Sequence, residues 1–304
     1  MAFSTIDKGS LYQNTVLYTG NNTGQSITGV GFQPDLVWNK GRSATESHNV
    51  WDVLRGTTKG LVTNGQSGES TWATGLTSFD SDGWTMGELD SMNDGSVTYV
   101  GWNWKAGGAG SANTDGTINS TVSVNTTAGF SIVKYTGNTT AGATVGHGLG
   151  VKPAMIIVKV YDATNNWAVY HKSMGATKAM YLDSTHAETT DAWLNDTEPT
   201  SSVFTLSGGN YGNTANNHIA YCFAEVPGYS KFSQYTGAGG SNGAFIYTGF
   251  KPSFVIAKGS STAGLNWFMA DNKRSTVNGA NVNNRQLYVN LNNVDDTNAD
   301  IDFL

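Results

Sequence analysis

The sequence predicts an all-β protein made of tandem β-sandwich domains of jelly-roll type, with an incomplete third copy. Three observations predict it: the composition, the spacing of turn residues and an internal repeat. Of the 304 residues 38 are glycine and only 13% are charged, and no run of Ala, Leu, Glu and Lys is long enough for a long helix. Short β-branched or aromatic stretches alternate instead with Gly, Asn and Asp, which is typical of strands joined by tight turns.

The repeat is a Tyr-Thr-Gly string that precedes a proline by 16 to 18 residues in three places. The strings begin at Tyr18, Tyr135 and Tyr235, and the prolines are Pro34, Pro153 and Pro252. A period near 100 residues is too long for a stacked solenoid repeat and suits a small domain. The sequence therefore predicts duplicated domains in series.

An apolar run follows each proline and ends in a lysine six positions after it. These lysines are Lys40, Lys159 and Lys258. The run predicts a short strand buried on both faces, which a proline can begin because it needs no ladder donor there. The register extends further in the first two copies, because Lys59 and Lys178 both stand 25 residues after their proline, and Trp104 and Phe223 stand 70 after it.

The last strand of each of the first two copies, here called the closing strand, shows alternation directly. Residues 99–104 align one to one with residues 218–223. Alternation places one set of large side chains on one face. This set is Val100, Trp102 and Trp104 in the first copy and Ile219, Tyr221 and Phe223 in the second. We expect this face to be core; an exposed sugar-stacking platform is the alternative.

Four segments are predicted: a first sandwich at 1–108, a linker or connecting strand at 109–128, a second sandwich at 129–228 and a third, truncated one at 229–304. The closing strand of the third copy would fall near position 322, beyond the 304 residues. A sandwich without it has an open edge and an uncovered core. Either the sequence is a truncated product or another chain supplies the strand.

Charge and hydropathy exclude several classes of function. The formal net charge is −6, the sequence pI is near 5.3 and only four arginines occur, which argues against a nucleic-acid partner. No apolar run approaches the roughly 18 residues of a membrane span, and the N-terminus lacks the pattern of a signal peptide. With Cys222 as the single cysteine, there is no intrachain disulfide, and we expect a packed, inert thiol.

No catalytic motif is found, so the chain is predicted not to be an enzyme and to need no cofactor. The six glutamates do not recur between copies as a glycosidase pair would, and the five histidines form no metal-spaced set. Two acidic clusters could bind calcium, but turn hydrogen bonding is the preferred interpretation. They are Asp80, Asp82, Asp90 and Asp94, and Asp295, Asp296, Asp300 and Asp302. No metal site is predicted.

Three tryptophans lie in polar, turn-rich surroundings and are the candidate ligand-facing rings: Trp72, Trp84 and Trp193. A structural role is the alternative for each. The loops in which the copies differ most are the candidate contact regions. They are 41–49, 64–72, 162–166, 186–199 and 259–266.

Several long strings resemble the repeats of an uncharacterised domain family frequent in tail-fibre and other virion proteins of marine phages, including cyanophage- and pelagiphage-like ones. The strings span residues 31–38, 75–83, 99–108, 146–150 and 220–232. Asn103 stands where a cysteine looks usual in the family. The resemblance covers nearly the whole chain and implies a location in the virion and a sandwich similar to concanavalin-type lectins.

We therefore expect a phage virion structural protein, a tail fibre or appendage whose loops bind host-surface glycans by polar contacts and ring stacking. A homotrimer among other virion proteins is expected by analogy with fibres. One alternative is a capsid decoration or tail scaffold protein without a host ligand. The other is a glycan depolymerase, which would need two carboxylates about 5 to 9.5 Å apart in a groove.

Overall fold

The computed structural model describes residues 4–239, 243–275, 282–297 and 301–304. These residues form 24 strands, one 3₁₀ turn at Gly9–Leu11 and one short helix, α1, at Asp90–Asn93. The all-β prediction is confirmed. No helix within the described residues has the length and apolar character needed to cross a membrane.

The first nine strands form a first unit of two sheets. Their bounds are β1 Gln13–Thr19, β2 Gln25–Ile27, β3 Leu36–Gly41, β4 Asn49–Asp52, β5 Lys59–Val62, β6 Ser70–Thr71, β7 Leu76–Asp80, β8 Gly83–Met86 and β9 Thr98–Trp104. The main sheet has the order β1-β9-β3-β4-β5-β6, and a smaller sheet has the order β2-β8-β7. The closing strand β9 thus lies between β1 and β3, antiparallel to both.

The second unit repeats this plan with ten strands. Their bounds are β10 Ser111–Asn113, β11 Ser120–Asn125, β12 Phe130–Thr136, β13 Ala143–Gly146, β14 Met155–Val160, β15 Ala168–His171, β16 Lys178–Tyr181, β17 Thr189–Thr190, β18 Val203–Leu206 and β19 Asn217–Phe223. Its main sheet runs β10-β11-β12-β19-β14-β15-β16-β17, and β13 pairs with β18 in a small sheet. From β12 to β17 the order matches that of the first main sheet, and β10 and β11, within 109–128, extend it.

The third unit is shorter. Its strands are β20 Phe254–Ala257, β21 Phe268–Asp271, β22 Val282–Asn283, β23 Leu287–Tyr288 and β24 Ile301–Asp302. The sheet β20-β21-β23 matches β3-β4-β5 of the first unit, and β22 pairs with β24. The matching orders agree with the sequence repeat, while the predicted domain boundaries stay predictions.

Each of the first two units is layered as a sandwich. In the first, Val37 and Trp51 of the main sheet pack with Trp84 and Met86 of the small sheet. In the second, residues of β14 and β15 pack in the same way against β13 and β18. This explains why β3 and β14 are buried along their whole length, as the sequence predicted.

The opposite faces of the three main sheets pack on one another in a single shared core. This core contains Trp102 and Trp104 of β9, Ile219 and Tyr221 of β19 and Met269 of β21. The prediction that the alternating aromatic face is core is confirmed. The core lies between units rather than within each of them, because a two-layer sandwich leaves the second face of its larger sheet uncovered.

Three equivalent backbone hydrogen bonds join the units in a ring. The Glu69 N–H of the first unit donates to the Tyr161 carbonyl of the second at 2.6 Å, and the Glu188 N–H of the second donates to the Ser260 carbonyl of the third at 2.8 Å. The third bond returns to the start, because the Asp295 N–H of the third unit donates to the Arg42 carbonyl of the first at 2.7 Å. One polypeptide therefore closes a pseudo-threefold ring.

Indole N–H groups strengthen two of these junctions. Trp167 Nε1 donates to the Val62 carbonyl at 3.1 Å, and Trp267 Nε1 donates to the Tyr181 carbonyl at 2.8 Å. These contacts and the backbone bonds use several of the loops in which the copies differ. Parts of the variable loops are thus engaged with neighbouring units, and a ligand contact by the rest of these loops stays a prediction.

Two of the repeated lysines are fully buried near the junctions. Burial lowers the pKa of Lys40 and that of Lys159 to about 8. Lys159 Nζ donates to the Gln66 carbonyl of the first unit and to the Asn165 carbonyl, both at 2.8 Å. The lysine that the sequence marks by its spacing therefore connects two units.

Candidate functional site

The three candidate tryptophans lie in the packing of their own units. Trp84 and Trp193 are 0% exposed, so the expectation of exposed, ligand-facing rings is wrong for these two. The Trp84 ring fills the space above Gly101, where an added Cβ would lie 2.5 Å from its outer carbon. Trp72 is half-buried and lies over Gly60 in the same manner. The sequence did not reveal this burial, because a glycine can indicate either a polar turn or a place where an aromatic ring packs against the backbone.

Two of the acidic residues considered for a cation have other partners. Asp82 accepts backbone N–H bonds from Gly29 and Gly31, which lower its pKa, and Asp295 binds Arg42 and Arg274. Within the described residues no group of three or more His, Cys, Asp or Glu side chains could hold a metal ion. Asp300 lies outside them.

Cys222 is buried on the face of β19 opposite the shared core. Burial raises the pKa of its thiol to about 12. A thiol that stays protonated is a poor nucleophile. Its environment is that of a packed core residue.

An open groove of about 2220 Å³ lies beside the third unit. It reaches into the shared core and is lined by all three main sheets, with Trp104 from the first, Ile157 and Tyr221 from the second and Phe254 and Ile256 from the third. The groove is therefore an interruption of the apolar core and not a shallow surface depression.

The strand orders explain why the groove exists. In the first unit β9 fills the space between β1 and β3, and in the second β19 fills the space between β12 and β14. In the third unit the corresponding positions are residues 232–237, which end in the repeated Tyr-Thr-Gly string, and β20. Within the described part of the chain β20 pairs only with β21, and residues 233–237 are exposed. The position of a closing strand between them is open.

A cyclic set of polar contacts lies beneath the closing strands. The first and third units carry an Asp at the end of their second core strand with an Arg three residues later: Asp52 binds Arg55 and Asp271 binds Arg274, each at 2.6 Å. These four side chains are buried. At the equivalent position the second unit carries His171, at the end of β15.

Each aspartate also accepts a hydrogen bond from the closing strand of the next unit. Tyr221 of β19 donates its hydroxyl to Asp52 Oδ2 at 2.8 Å. Trp102 of β9 donates its indole N–H to Asp271 Oδ2 at 3.0 Å. The third contact of the cycle would join His171 to a closing strand in the third unit, and His171 lies in the lining of the groove.

The environment of His171 favours the neutral ring. Burial, and secondly the charge of Lys172, lower its pKa. Its Nδ1 accepts the Ser173 N–H at 3.2 Å, so the proton of the neutral ring is on Nε2. The Phe232 ring lies beside it, with ring centroids 6.3 Å apart.

Exposed rings line the groove, and the charged Glu225 lies next to its lining residues Ala224 and Phe232. Burial opposes ionisation of Glu225, but hydrogen bonds from Lys172 and from the Phe232 N–H hold its pKa below its ordinary value. Phe245 and Tyr247 are 76% and 78% exposed. Large exposed rings beside an apolar groove are typical of an interaction surface.

Comparison with known proteins assigns the chain to one family. The model of a domain of unknown function, DUF7483, matches residues 8–304, and the chain belongs to that family. No curated protein and no solved structure matches significantly.

Proposed function

We propose that this member of the DUF7483 family is a structural protein of a phage virion, part of a tail fibre or appendage that presents its surface to host glycans. The observation that carries the proposal is the closed ring of three β-units in one chain, held by a shared apolar core and equivalent backbone hydrogen bonds. Such a body is rigid and suits mechanical or adhesive display. The resemblance of its repeats to those of tail-fibre proteins supports the same conclusion.

The alternative of a glycan depolymerase receives no support from the groove. Of the described residues that line it, one is a carboxylate, Asp302. A glycosidase of the usual kind needs two.

A capsid decoration or tail scaffold protein is the second candidate, and a specific observation favours it. The groove and its exposed rings, Phe245 and Tyr247, form a surface of the type that protein partners bury. A scaffold needs such a surface for a neighbouring virion chain. An adhesin needs, in addition, a surface that faces outward and binds a host sugar.

Two experiments test the proposal. Mass spectrometry and immunogold labelling of purified particles should find the protein on the virion, and its absence from particles would refute a virion role. Purified protein added to host cells should reduce phage adsorption if it binds a host glycan, and host glycans added in excess should reverse this. Labelled particles whose adsorption is unaffected would favour the scaffold.

A further inference from the structure

Three buried asparagines face the interior of the first sandwich. They are Asn39 of β3, Asn49 of β4 and Asn103 of β9, and each is at most 1% exposed. Asn39 is the cross-strand partner of Asn49, and Asn103 is the partner of Val37, which precedes Asn39 on the same face of β3. The three amides are therefore neighbours on one face of the main sheet.

The fold does not require polar residues at these positions. The second unit repeats the register between the same strands and carries other side chains there. In the order of the three asparagines these are Val158, Ala168 and Cys222, and all three lie in the apolar core of the second unit. The asparagines are thus a property of the first unit and not of the sandwich plan.

Each of the three amides is bonded through its nitrogen alone. Asn49 Nδ2 donates to two backbone carbonyls at 3.3 Å each, and Asn103 Nδ2 donates to two at 3.1 and 3.0 Å. A carbonyl only accepts, so these contacts fix which side of the amide is the nitrogen. Asn39 Nδ2 donates to the Tyr18 hydroxyl, whose own proton goes to a backbone carbonyl at 2.9 Å. Within the described residues none of the three Oδ1 atoms has a hydrogen-bond partner.

Asn93 of the first unit and Asn213 of the second show how this chain pairs a buried amide completely. On Oδ1 each accepts the backbone N–H that follows the repeated Tyr-Thr-Gly string, together with a second donor, and Nδ2 donates to two backbone carbonyls. A buried oxygen without a donor loses its hydration and gains no bond in exchange. Three half-paired amides side by side therefore indicate a bound group that is not part of the chain.

Two indole N–H groups lie next to these amides. Trp51 follows Asn49 by two residues on the same face of β4, and the Trp84 ring covers Gly101, the cross-strand partner of Asn39. Both indoles are 0% exposed, and in the described part of the chain neither Nε1 has a hydrogen-bond partner. The interior thus presents two unpaired donors beside three unpaired acceptors.

We propose that this set of side chains is a binding site for ordered water molecules inside the first sandwich. The waters donate to the amide oxygens of the three asparagines and accept from the two indole N–H groups. Buried waters make about three hydrogen bonds each to polar groups that the protein itself does not pair. The inference goes beyond the proposed function and does not depend on it.

Water suits this set of groups better than a metal cation does. A water molecule both donates and accepts, whereas a cation binds only the oxygens and excludes the indole N–H groups. A buried cation would also need a compensating charge. A water that donates two bonds of about 2.8 Å spans oxygens about 4.5 Å apart, which is the spacing of cross-strand neighbours.

Nuclear magnetic resonance of the 304-residue protein with ¹⁵N-labelled tryptophan tests the proposal. In a rotating-frame experiment the indole N–H signals of Trp51 and Trp84 should show cross-peaks to water with the sign of direct proximity and not of proton exchange. Trp102 and Trp267 are the controls, because their indole N–H groups are buried but donate to oxygens of the protein, and should show none. A water signal missing from Trp51 or Trp84, or equally strong at the controls, would overturn the proposal.

Exchange of residues between the copies locates the waters. The triple variant Asn39→Val, Asn49→Ala and Asn103→Cys carries the residues of the second unit, and Asn119→Ala, at an exposed asparagine, is the control. Oxygen-17 relaxation dispersion of the solvent counts long-lived internal waters, and the triple variant should have at least one fewer than the wild type and the control. An unchanged number in a triple variant with native circular dichroism would overturn the proposal. If the triple variant does not fold, the indole signals of the wild type decide the question.

Thermal unfolding in different salts distinguishes water from an ion. At equal ionic strength the wild type should melt at the same temperature in sodium, potassium and tetramethylammonium chloride. A bound ion would raise the melting temperature in its own salt by mass action. A rise in sodium or potassium that the triple variant lacks would assign the site to that ion and overturn the proposal.

Discussion

Replacement of Tyr221 by phenylalanine tests the contact between the closing strand of one unit and the core of the next. The Tyr221 hydroxyl donates to Asp52 Oδ2 at 2.8 Å, and Tyr221 is only 3% exposed. A buried hydrogen bond to a charged acceptor contributes about 1.5 to 3 kcal/mol. Asp52 keeps Arg55 at 2.6 Å, so we expect a loss of about 1.5 to 2 kcal/mol in the free energy of unfolding, in the lower part of that range.

The loss should be measured by urea denaturation, followed by tryptophan fluorescence and by far-UV circular dichroism. Because the three units share one core, both probes should report the same transition, shifted to lower urea. Tyr235→Phe is the control, since Tyr235 is 54% exposed and should change stability by less than about 0.5 kcal/mol. A Tyr221→Phe variant as stable as this control would refute the role of the contact. Separate transitions for the two probes would refute the shared core as a cooperative unit.

Three further substitutions test other features. Lys159→Met tests the buried lysine. Because burial lowers the pKa of Lys159 to about 8 from an ordinary 10.4, the unfolded state binds more protons than the folded state between pH 8 and 9.5, and over this range the wild type should gain about 1 to 2 kcal/mol of unfolding free energy relative to the variant. A difference in urea midpoints that does not change with pH would contradict this. Gly101→Ala should lower the free energy of unfolding by about 1 to 3 kcal/mol, because the added methyl group collides with the Trp84 ring. Gly237→Ala is the control, since its methyl group would enter open space and should leave thermal unfolding unchanged. Equal melting temperatures of the two variants would contradict this. Arg274→Ala should cost about 3 to 5 kcal/mol because it leaves the buried Asp271 without its cation and Asp295 with Arg42 alone, and a loss below about 1 kcal/mol in urea unfolding would contradict it.

The repeat could be recognised in the sequence because its residues have strong preferences for particular backbone conformations or sheet faces. A proline, an apolar run and an alternating strand each restrict the backbone or the face that a side chain occupies. Residues 99–104 and 218–223 therefore predicted both the closing strands and their core-facing side chains.

The packing between units could not be read in this way. Glu69, Glu188 and Asp295 form the ring through backbone atoms, and a backbone hydrogen bond leaves little mark on residue type. Trp84 and Trp193 were misjudged because neighbouring polar residues suggested a surface, while both rings are buried in the apolar cores of their units. His171 could be found only once the strand register showed that it occupies the position equivalent to Asp52 and Asp271.

The ring also determines how the protein can change over evolution. In an assembly of three identical chains, one codon change alters all three contacts together. Here the contacts differ in chemistry, with the ion pair of Arg42 and Asp295 at one of them and the side-chain amides of Gln66 and Asn166 at another. A mutation at one junction therefore alters that contact alone, and the contacts at the other two junctions stay as they were.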